Sequence, residues 1–367
     1  MKYTLQVFTG SWHDAHEQPE KILGRITEIS RRIPVERVIV GWNTDPSLYR
    51  TLGHGLRRAG IQMLLWLPVF TEVREAAETE EALDLAGQRI VPPGKQAEEA
   101  FAFDCPSSRR NLRAVEALYD KTFADFGFDG VFLDRVRTQS FAAGVPGVLS
   151  CGCARCRDAF RRMGVDTEEV LKRYRQRKDA FFDLSGFPMN GRFTLKDPLA
   201  QRFFEAKEEI IAESAAELCR YFKGKGLIVG LDLFAPLVSR FVGQNYTKIT
   251  EHADFIKPML YRRTEAPAGI GYEYALFEQY APGAQGRIRL TAGRELLDSQ
   301  LEAVRSASCE VYPGIELNYH KNLVRTDADY VTDSLKAIRE HGFAGAALCW
   351  NIMEVPDAHI DAAAALE

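Results

Sequence analysis

Phe128-Asp129-Gly130-Val131-Phe132-Leu133-Asp134-Arg135-Val136-Arg137 is the stretch on which the reading of this chain turns. Its centre is nearly continuous in apolar residues rather than alternating, the pattern of a parallel strand covered on both faces. It opens on one carboxylate, closes on another, and runs into two arginines. Similar runs lie on both sides. Upstream are Tyr3 to Thr9, Arg37 to Trp42 and Ile61 to Phe70. Downstream are Leu227 to Phe234, Asp254 to Tyr261, Cys309 to Leu317 and Phe343 to Trp350. Helical patterns separate them. The one after the first run sets Ile22, Ile26 and Ile29 on a single face, at spacings of four and three. Eight such units predict an α/β fold, a (β/α)8 TIM barrel. A doubly wound open sheet would place a Gly-rich turn after the first strand, and Thr9-Gly10-Ser11-Trp12 is not one.

The spacing is uneven. Residues 135–226 are expected to form an elaborated loop region after strand four. It holds a Cys-rich loop, a charged helix near Thr167 to Phe182, a Gly/Pro/Asn turn and a long helix from Pro198. One barrel domain is expected over residues 1–362, with residues 363–367 a vector-derived tail outside it. The 367 residues are 46% hydrophobic and 27% charged, so a folded globular chain is expected rather than a disordered one. With 47 basic against 51 acidic residues the net charge is −4, which argues against nucleic acid as a partner. No run approaches the roughly 18 apolar residues of a membrane span. The N-terminus lacks the apolar run and cleavage site of a signal peptide, and the chain reads as cytoplasmic unless a leader was trimmed. A homo-oligomer is compatible with the sequence.

Seven cysteines are present. Three form Cys151-Gly152-Cys153-Ala154-Arg155-Cys156, and a fourth, Cys105, precedes Pro106. Short loops bring thiolates to the roughly 2.3 Å that tetrahedral zinc requires. A disulfide would leave one of the three neighbours over. The expectation is a structural zinc on Cys105, Cys151, Cys153 and Cys156. Cys219, Cys309 and Cys349 sit in apolar contexts and read as buried small hydrophobes.

Barrel strands end at the face that carries chemistry. Asp134 ends strand four, Asp232 lies in strand five and Glu316 in strand seven, each among apolar neighbours. A carboxylate so placed needs a partner, hydrogen bonds or a proton. Glycosidic bonds are hydrolysed between two carboxylates, one acid and one nucleophile or base. Aromatic residues gather at the same ends: Trp12, Trp42, Trp66, Tyr261, Tyr319 and Trp350, including all four tryptophans. They serve either as walls for sugar stacking or as packing. Arg135 and Arg137 follow strand four, and Arg262 and Arg263 follow strand six. These either pair with the carboxylates or bind an acidic sugar, since Arg holds a carboxylate bidentately. His320, four residues after Glu316, is a candidate substrate contact. Asp129 starts its strand and is assigned to structure.

Other chemistries find little support. His13 and His16 could share a metal, but no histidine lies in strands four to six. Neither a P-loop nor a G-x-G-x-x-G occurs, so no organic cofactor is expected. There is no G-x-S-x-G elbow.

The strand-four stretch resembles that of glycoside-hydrolase-like barrel families, whose pattern is roughly D-G-hydrophobic-x-hydrophobic-D-x-x-R. The segment Asp254-Phe255-Ile256-Lys257-Pro258-Met259-Leu260-Tyr261 resembles their strand six. The cysteine pattern is similar to that of family 42 β-galactosidases. There one upstream Cys and a C-x-C-x-x-C after strand four hold zinc, which implies that role for Cys105, Cys151, Cys153 and Cys156. That family carries Asn-Glu at the end of strand four, where this chain has Asp134-Arg135. Glu316 matches the placement of its nucleophile.

The function expected is a glycoside hydrolase. Asp134 and Glu316 form the carboxylate pair, Asp232 is the reserve, and either order of roles is open. Trp12, Trp42, Trp66, Arg137, Tyr261, Arg262, Tyr319, His320 and Trp350 are the candidate carbohydrate contacts. A carbohydrate-binding barrel without turnover is the alternative, as is a lyase or epimerase on acidic sugars.

Overall fold

The computed structural model describes residues 1–10, 17–71, 78–91, 102–185, 193–281 and 293–367. Eight parallel strands close on themselves: β1 (Lys2–Phe8), β2 (Val35–Gly41), β3 (Gln62–Pro68), β4 (Gly130–Asp134), β5 (Ile228–Phe234), β6 (Phe255–Met259), β7 (Gly314–Glu316) and β8 (Gly345–Cys349). Neighbours in sequence are neighbours in space, and β8 pairs with β1 to complete the ring. This is the expected (β/α)8 barrel. The seventh run is broken. Glu310–Val311 pairs with β6, and after Tyr312-Pro313 the chain rejoins as β7. Pro313 has no N–H to give a ladder, so the strand divides there.

Strands β4, β6 and β8 are buried along their whole length, as continuous apolar runs require. At the N-terminal end of the barrel, the Arg37 guanidinium lies between the Phe255 and Tyr312 rings, 4.5 Å from each centroid. Asp129 also belongs to this end, where its carboxylate accepts from Met63 N at 2.8 Å. Charged groups here are bonded into the frame, and the opposite end is left for chemistry.

The helices follow their sequence signals. Helix α1 (Pro19–Ser30) buries Ile22, Ile26 and Ile29. Helix α2 (Pro46–Arg58) is capped by Asp45, whose side chain accepts from Ser47 N. Helix α3 (Arg109–Leu118) leads toward β4. The region after β4 contains α4 (Ala154–Arg162), α5 (Thr167–Gln176), a two-stranded pairing of Leu184–Ser185 with Thr194–Leu195, and the 27-residue α6 (Pro198–Gly224). Asp197 caps α6 by accepting from Leu199 N and Ala200 N. Lys207 of α6 is buried and donates to Phe241 O at 2.9 Å and to Val148 O. It thereby ties this region to the segment after β5. Helices α7 (Ile270–Tyr280), α8 (Arg294–Ala303), α9 (Ala328–Glu340) and α10 (Asp357–Ala364) complete the outer layer.

Residues 363–367, expected outside the fold, are packed into it. Ala363 is buried in α10, and the Glu367 carboxylate meets the Met1 ammonium at 2.8 Å, Tyr3 Oη at 2.9 Å and Arg339 at 3.0 Å. Among the described residues no helix is long and apolar enough to cross a membrane.

Candidate active site

A cavity of about 250 Å³ opens at the C-terminal end of the barrel. Gln6, Asp232 and Lys257 reach it from within β1, β5 and β6. Asp134, Phe234 and Met259 reach it from strand ends, and Trp42 and Trp350 from the residues just beyond β2 and β8. A close approach of β2 to β3 shapes one wall. A Cβ at Gly41 would come within 2.6 Å of Trp66 O. With glycine there, the Trp42 and Trp66 rings meet edge to face at 5.3 Å, and Phe8 adds an edge to Trp42 at 5.2 Å.

Asp134 is held on both oxygens. Trp66 Nε1 donates to Oδ2 at 2.9 Å and Arg135 N donates to Oδ1 at 2.6 Å. Both partners are donors, so both oxygens act as acceptors. Arg135 itself has φ of 56°, and Ala268 has φ of 73°. These are the two non-glycine residues of positive φ among the described residues, and both line the cavity. Such backbone is retained where the surroundings dictate it, commonly at functional sites. The Arg135 side chain donates to Thr71 Oγ1 at 2.8 Å and lies 4.9 Å from the Trp42 ring centroid.

Asp232 faces Lys257 in register across β5 and β6, with Nζ 2.8 Å from Oδ2. Its Oδ1 has no hydrogen-bond partner among the described residues. Burial raises the carboxyl to about 7 against the pull of Lys257, and the nearby charge of Asp134 adds to the rise. Lys257 also donates to Gln6 Oε1 at 3.1 Å and to Tyr261 Oη at 3.0 Å. Burial works against its charge, but Asp232 outweighs that and Lys257 stays an ammonium.

Arg137 is 9% exposed and lines the same cavity. Its guanidinium lies between Phe234 and Phe103, 4.4 and 4.8 Å from the ring centroids, and Nη1 donates to Thr138 O at 3.0 Å. Gln244 fixes the loops around it. It accepts from Phe234 N at 2.8 Å and donates to Val136 O at 3.2 Å.

Two residues before Cys105, Phe103 connects this cavity to the cysteine cluster. The sulfurs of Cys105, Cys151, Cys153 and Cys156 lie within 4.8 Å of one another, and those of Cys105 stand 3.4 Å from Cys153 and from Cys156. A tetrahedral thiolate site of about 2.3 Å radius needs sulfurs roughly 3.8 Å apart, which this cluster approximates. Leu83 N donates to Cys151 Sγ at 3.4 Å and Cys156 N to Cys153 Sγ at 3.5 Å. Gly152 permits the approach of residues 83–85, since a Cβ there would meet Asp84 O at 2.1 Å. The four thiols could hold a metal ion. Of the other cysteines, Cys219 and Cys349 are buried as expected, while Cys309 is partly exposed.

No family model matches the chain, and no curated protein sequence matches it. Solved structures do. The glycoside hydrolase domain of PgaB (BpsB) from Bordetella bronchiseptica superposes with a TM-score of 0.64 at 14% identity, over 98% of this chain and 97% of that one. A class V chitinase from Pseudomonas fluorescens gives 0.52 at 9% identity, over 100% and 99%. The α-L-fucosidase isoenzyme 2 from Paenibacillus thiaminolyticus gives 0.55 at 11%, over 100% of this chain and 49% of that one. What these structures share with the chain is the barrel.

Against the sequence expectations, the cavity gathers Asp134, Asp232, Trp42, Trp66, Arg137, Tyr261 and Trp350. It does not gather Glu316. That side chain is fully buried beside the cavity, its Oε2 taken by Tyr330 Oη of α9 at 2.6 Å and its Oε1 by Arg263 N at 2.5 Å. Arg262 turns to the helices, where it bonds Ser334 Oγ at 2.7 Å and Asp333 at 3.2 Å. Tyr319 is 54% exposed. His320 belongs to a turn closed on Val324, and neither residue lines the cavity. Trp12 lies outside the described residues. The expectations missed Gln6 and Lys257, both polar residues inside apolar strands, and Asn318, whose Oδ1 accepts from Trp350 N at 2.6 Å and sets that wall.

Proposed function

We propose that the protein is a glycoside hydrolase in which Asp134 and Asp232 are the reacting carboxylates. One observation carries this reading: two carboxyls from adjacent strands line a single aromatic-walled cavity and lie in opposite surroundings. Asp232 is desolvated and pushed to about 7, so it can hold a proton near neutral pH. Asp134 accepts an N–H on each carboxylate oxygen, from the Trp66 indole and from the Arg135 backbone. This is how environment separates an acid from a nucleophile or base. Asp232 protonates the leaving oxygen while Asp134 stabilises or attacks the anomeric carbon. Trp42, Trp66, Tyr261 and Trp350 provide apolar faces for the sugar ring. The names of the solved structures it superposes with, a glycoside hydrolase domain, a chitinase and a fucosidase, agree with a carbohydrate substrate.

The cysteine cluster is assigned a structural zinc. Four protein thiolates leave no open position on the metal, so it would fix the loops of Cys105 and Cys151–Cys156 and take no part in the reaction. The test of the whole reading is turnover of a panel of chromogenic glycosides, neutral and acidic. Wild type should release the chromophore from at least one member, and Asp134→Asn, correctly folded, should not. A folded Asp134→Asn protein that keeps full turnover would remove Asp134 from the chemistry.

A further inference from the structure

We propose that the substrate is an anionic sugar, one carrying a carboxylate or sulfate, and that Arg137 receives its oxyanion. This deepens the hydrolase reading and rests on it for the word substrate. The argument starts from an anomaly of charge. Arg137 is nine-tenths buried, yet among the described residues no carboxylate lies within ion-pair distance of it, and its one hydrogen bond goes to a backbone carbonyl. Burying a guanidinium without a counter-ion in contact is unfavourable. The desolvation is strong enough to lower Arg137 to about 10, still charged at neutral pH. Buried Lys207 is held by two backbone carbonyls away from this cavity, and three other buried basic groups have a carboxylate partner. Lys257 has Asp232, Arg37 has Glu36, and Arg262 has Asp333. Arg137 alone of these has its missing partner on the cavity side.

The geometry fits a receptor. The guanidinium plane is held between two phenylalanine rings, so its orientation is set before a ligand arrives. Among the described residues only Nη1 is engaged, which leaves Nε and Nη2, the edge that matches two oxygens of a carboxylate or sulfate. Further buried donors with no partner among the described residues line the same cavity: Gln6 Nε2, Trp42 Nε1 and Trp350 Nε1. Hydroxyls of a sugar would satisfy them.

Asp134, Glu273 and Asp232 attract Arg137 from beyond ion-pair distance and Arg135 repels it, and burial outweighs the net attraction. A neutral sugar leaves Arg137 unpaired. A cationic amino sugar meets two like charges in a poorly solvated site, where repulsion is strong.

The test reads binding, not turnover, so it fails independently of the hydrolase assignment. Calorimetry on the wild-type protein would compare D-glucuronate and D-galacturonate with D-glucose and D-galactose, and D-glucose 6-sulfate with D-glucose. At least tenfold tighter binding of an anionic member over its neutral parent is expected, and the better of uronate and sulfate names the oxyanion. Arg137→Gln should bring that ratio near one, with Arg137→Lys in between. Should Arg137→Gln fail to fold, Arg137→Lys and the wild-type ratio still decide. Equal affinity for charged and neutral members, no binding of any probe, or a preference that survives in folded Arg137→Gln would overturn the proposal.

Discussion

Lys257 Nζ lies 2.8 Å from Asp232 Oδ2, and the two residues stand opposite one another in register on β6 and β5. A buried pair of this kind is weak evidence for stability, because desolvation offsets most of the attraction. In the proposed reaction its use is to place a carboxyl near the midpoint of its titration. Burial alone would drive Asp232 higher, and the ammonium brings it back to about 7. The pair acts as one titrating unit, so an observed pH limb belongs to both residues.

The alkaline limb of kcat/KM should therefore fall near pH 7. The sign follows from the role. An acid must carry its proton, and Asp232 loses it as pH rises through its raised value. Asp232→Asn has no proton to give and should lower kcat by about 10²- to 10⁴-fold, the range for a positioned acid. For a substrate with an activated leaving group the loss should shrink, since little protonation is needed. A uniform loss across leaving groups of different acidity would show that Asp232 is not the acid.

Replacing Lys257 tests the other half of the pair. In Lys257→Gln the attraction that lowers Asp232 is gone, so its carboxyl rises and the alkaline limb moves to higher pH. The variant should also be less stable, because breaking a buried pair costs about 3–5 kcal/mol when a charge is left behind. Protonation of Asp232 relieves part of this, so the deficit should grow as pH increases. Thermal melts between pH 5 and 9 would reveal it. An unmoved limb would separate Lys257 from the acid.

Glu316 has the opposite prediction. Both oxygens are committed to Tyr330 and Arg263 N, so Glu316→Gln should retain turnover within a few-fold and leave the pH profile in place. Glu316→Ala strands two buried donors and should cost about 1–3 kcal/mol for each. A hundredfold fall in kcat for folded Glu316→Gln would return the chemistry to β7.

The contrast between Asp232 and Glu316 marks how far the sequence was readable. Both are acidic residues within apolar runs at barrel strands, and nothing local tells them apart. Their difference is tertiary: Tyr330 arrives from α9 to bind one, and Lys257 from β6 to bind the other. The eight-strand order was readable because each run is long and apolar, and even the break at Pro313 follows from a residue in plain view. The cavity walls at Trp42, Trp66 and Trp350 followed from strand ends. Lys257 and Gln6 carried a signal that went unused, since a polar residue inside a buried strand calls for the same question as a carboxylate. Arg262 could not be separated from Arg137 in advance. Both follow strand ends, and only the neighbours each one packs against send Arg262 toward Asp333 and Arg137 into the cavity.

The cysteine cluster yields the last prediction. If zinc fills it, metal analysis of the purified protein should give one zinc per chain, and each of Cys105→Ser, Cys151→Ser, Cys153→Ser and Cys156→Ser should lower that content. The effect on function should be indirect. Phe103, two residues before Cys105, is one of the two rings that hold Arg137. Loosening the cluster should therefore weaken ligand binding through Arg137 more than it slows the bound reaction, raising KM ahead of any fall in kcat. Thermal stability should drop with metal removal by a chelator and return when zinc is restored, since metal binding to the folded chain is folding free energy. A protein purified with its four thiols free, indifferent to chelator in both melting and KM, would assign the cluster to packing alone.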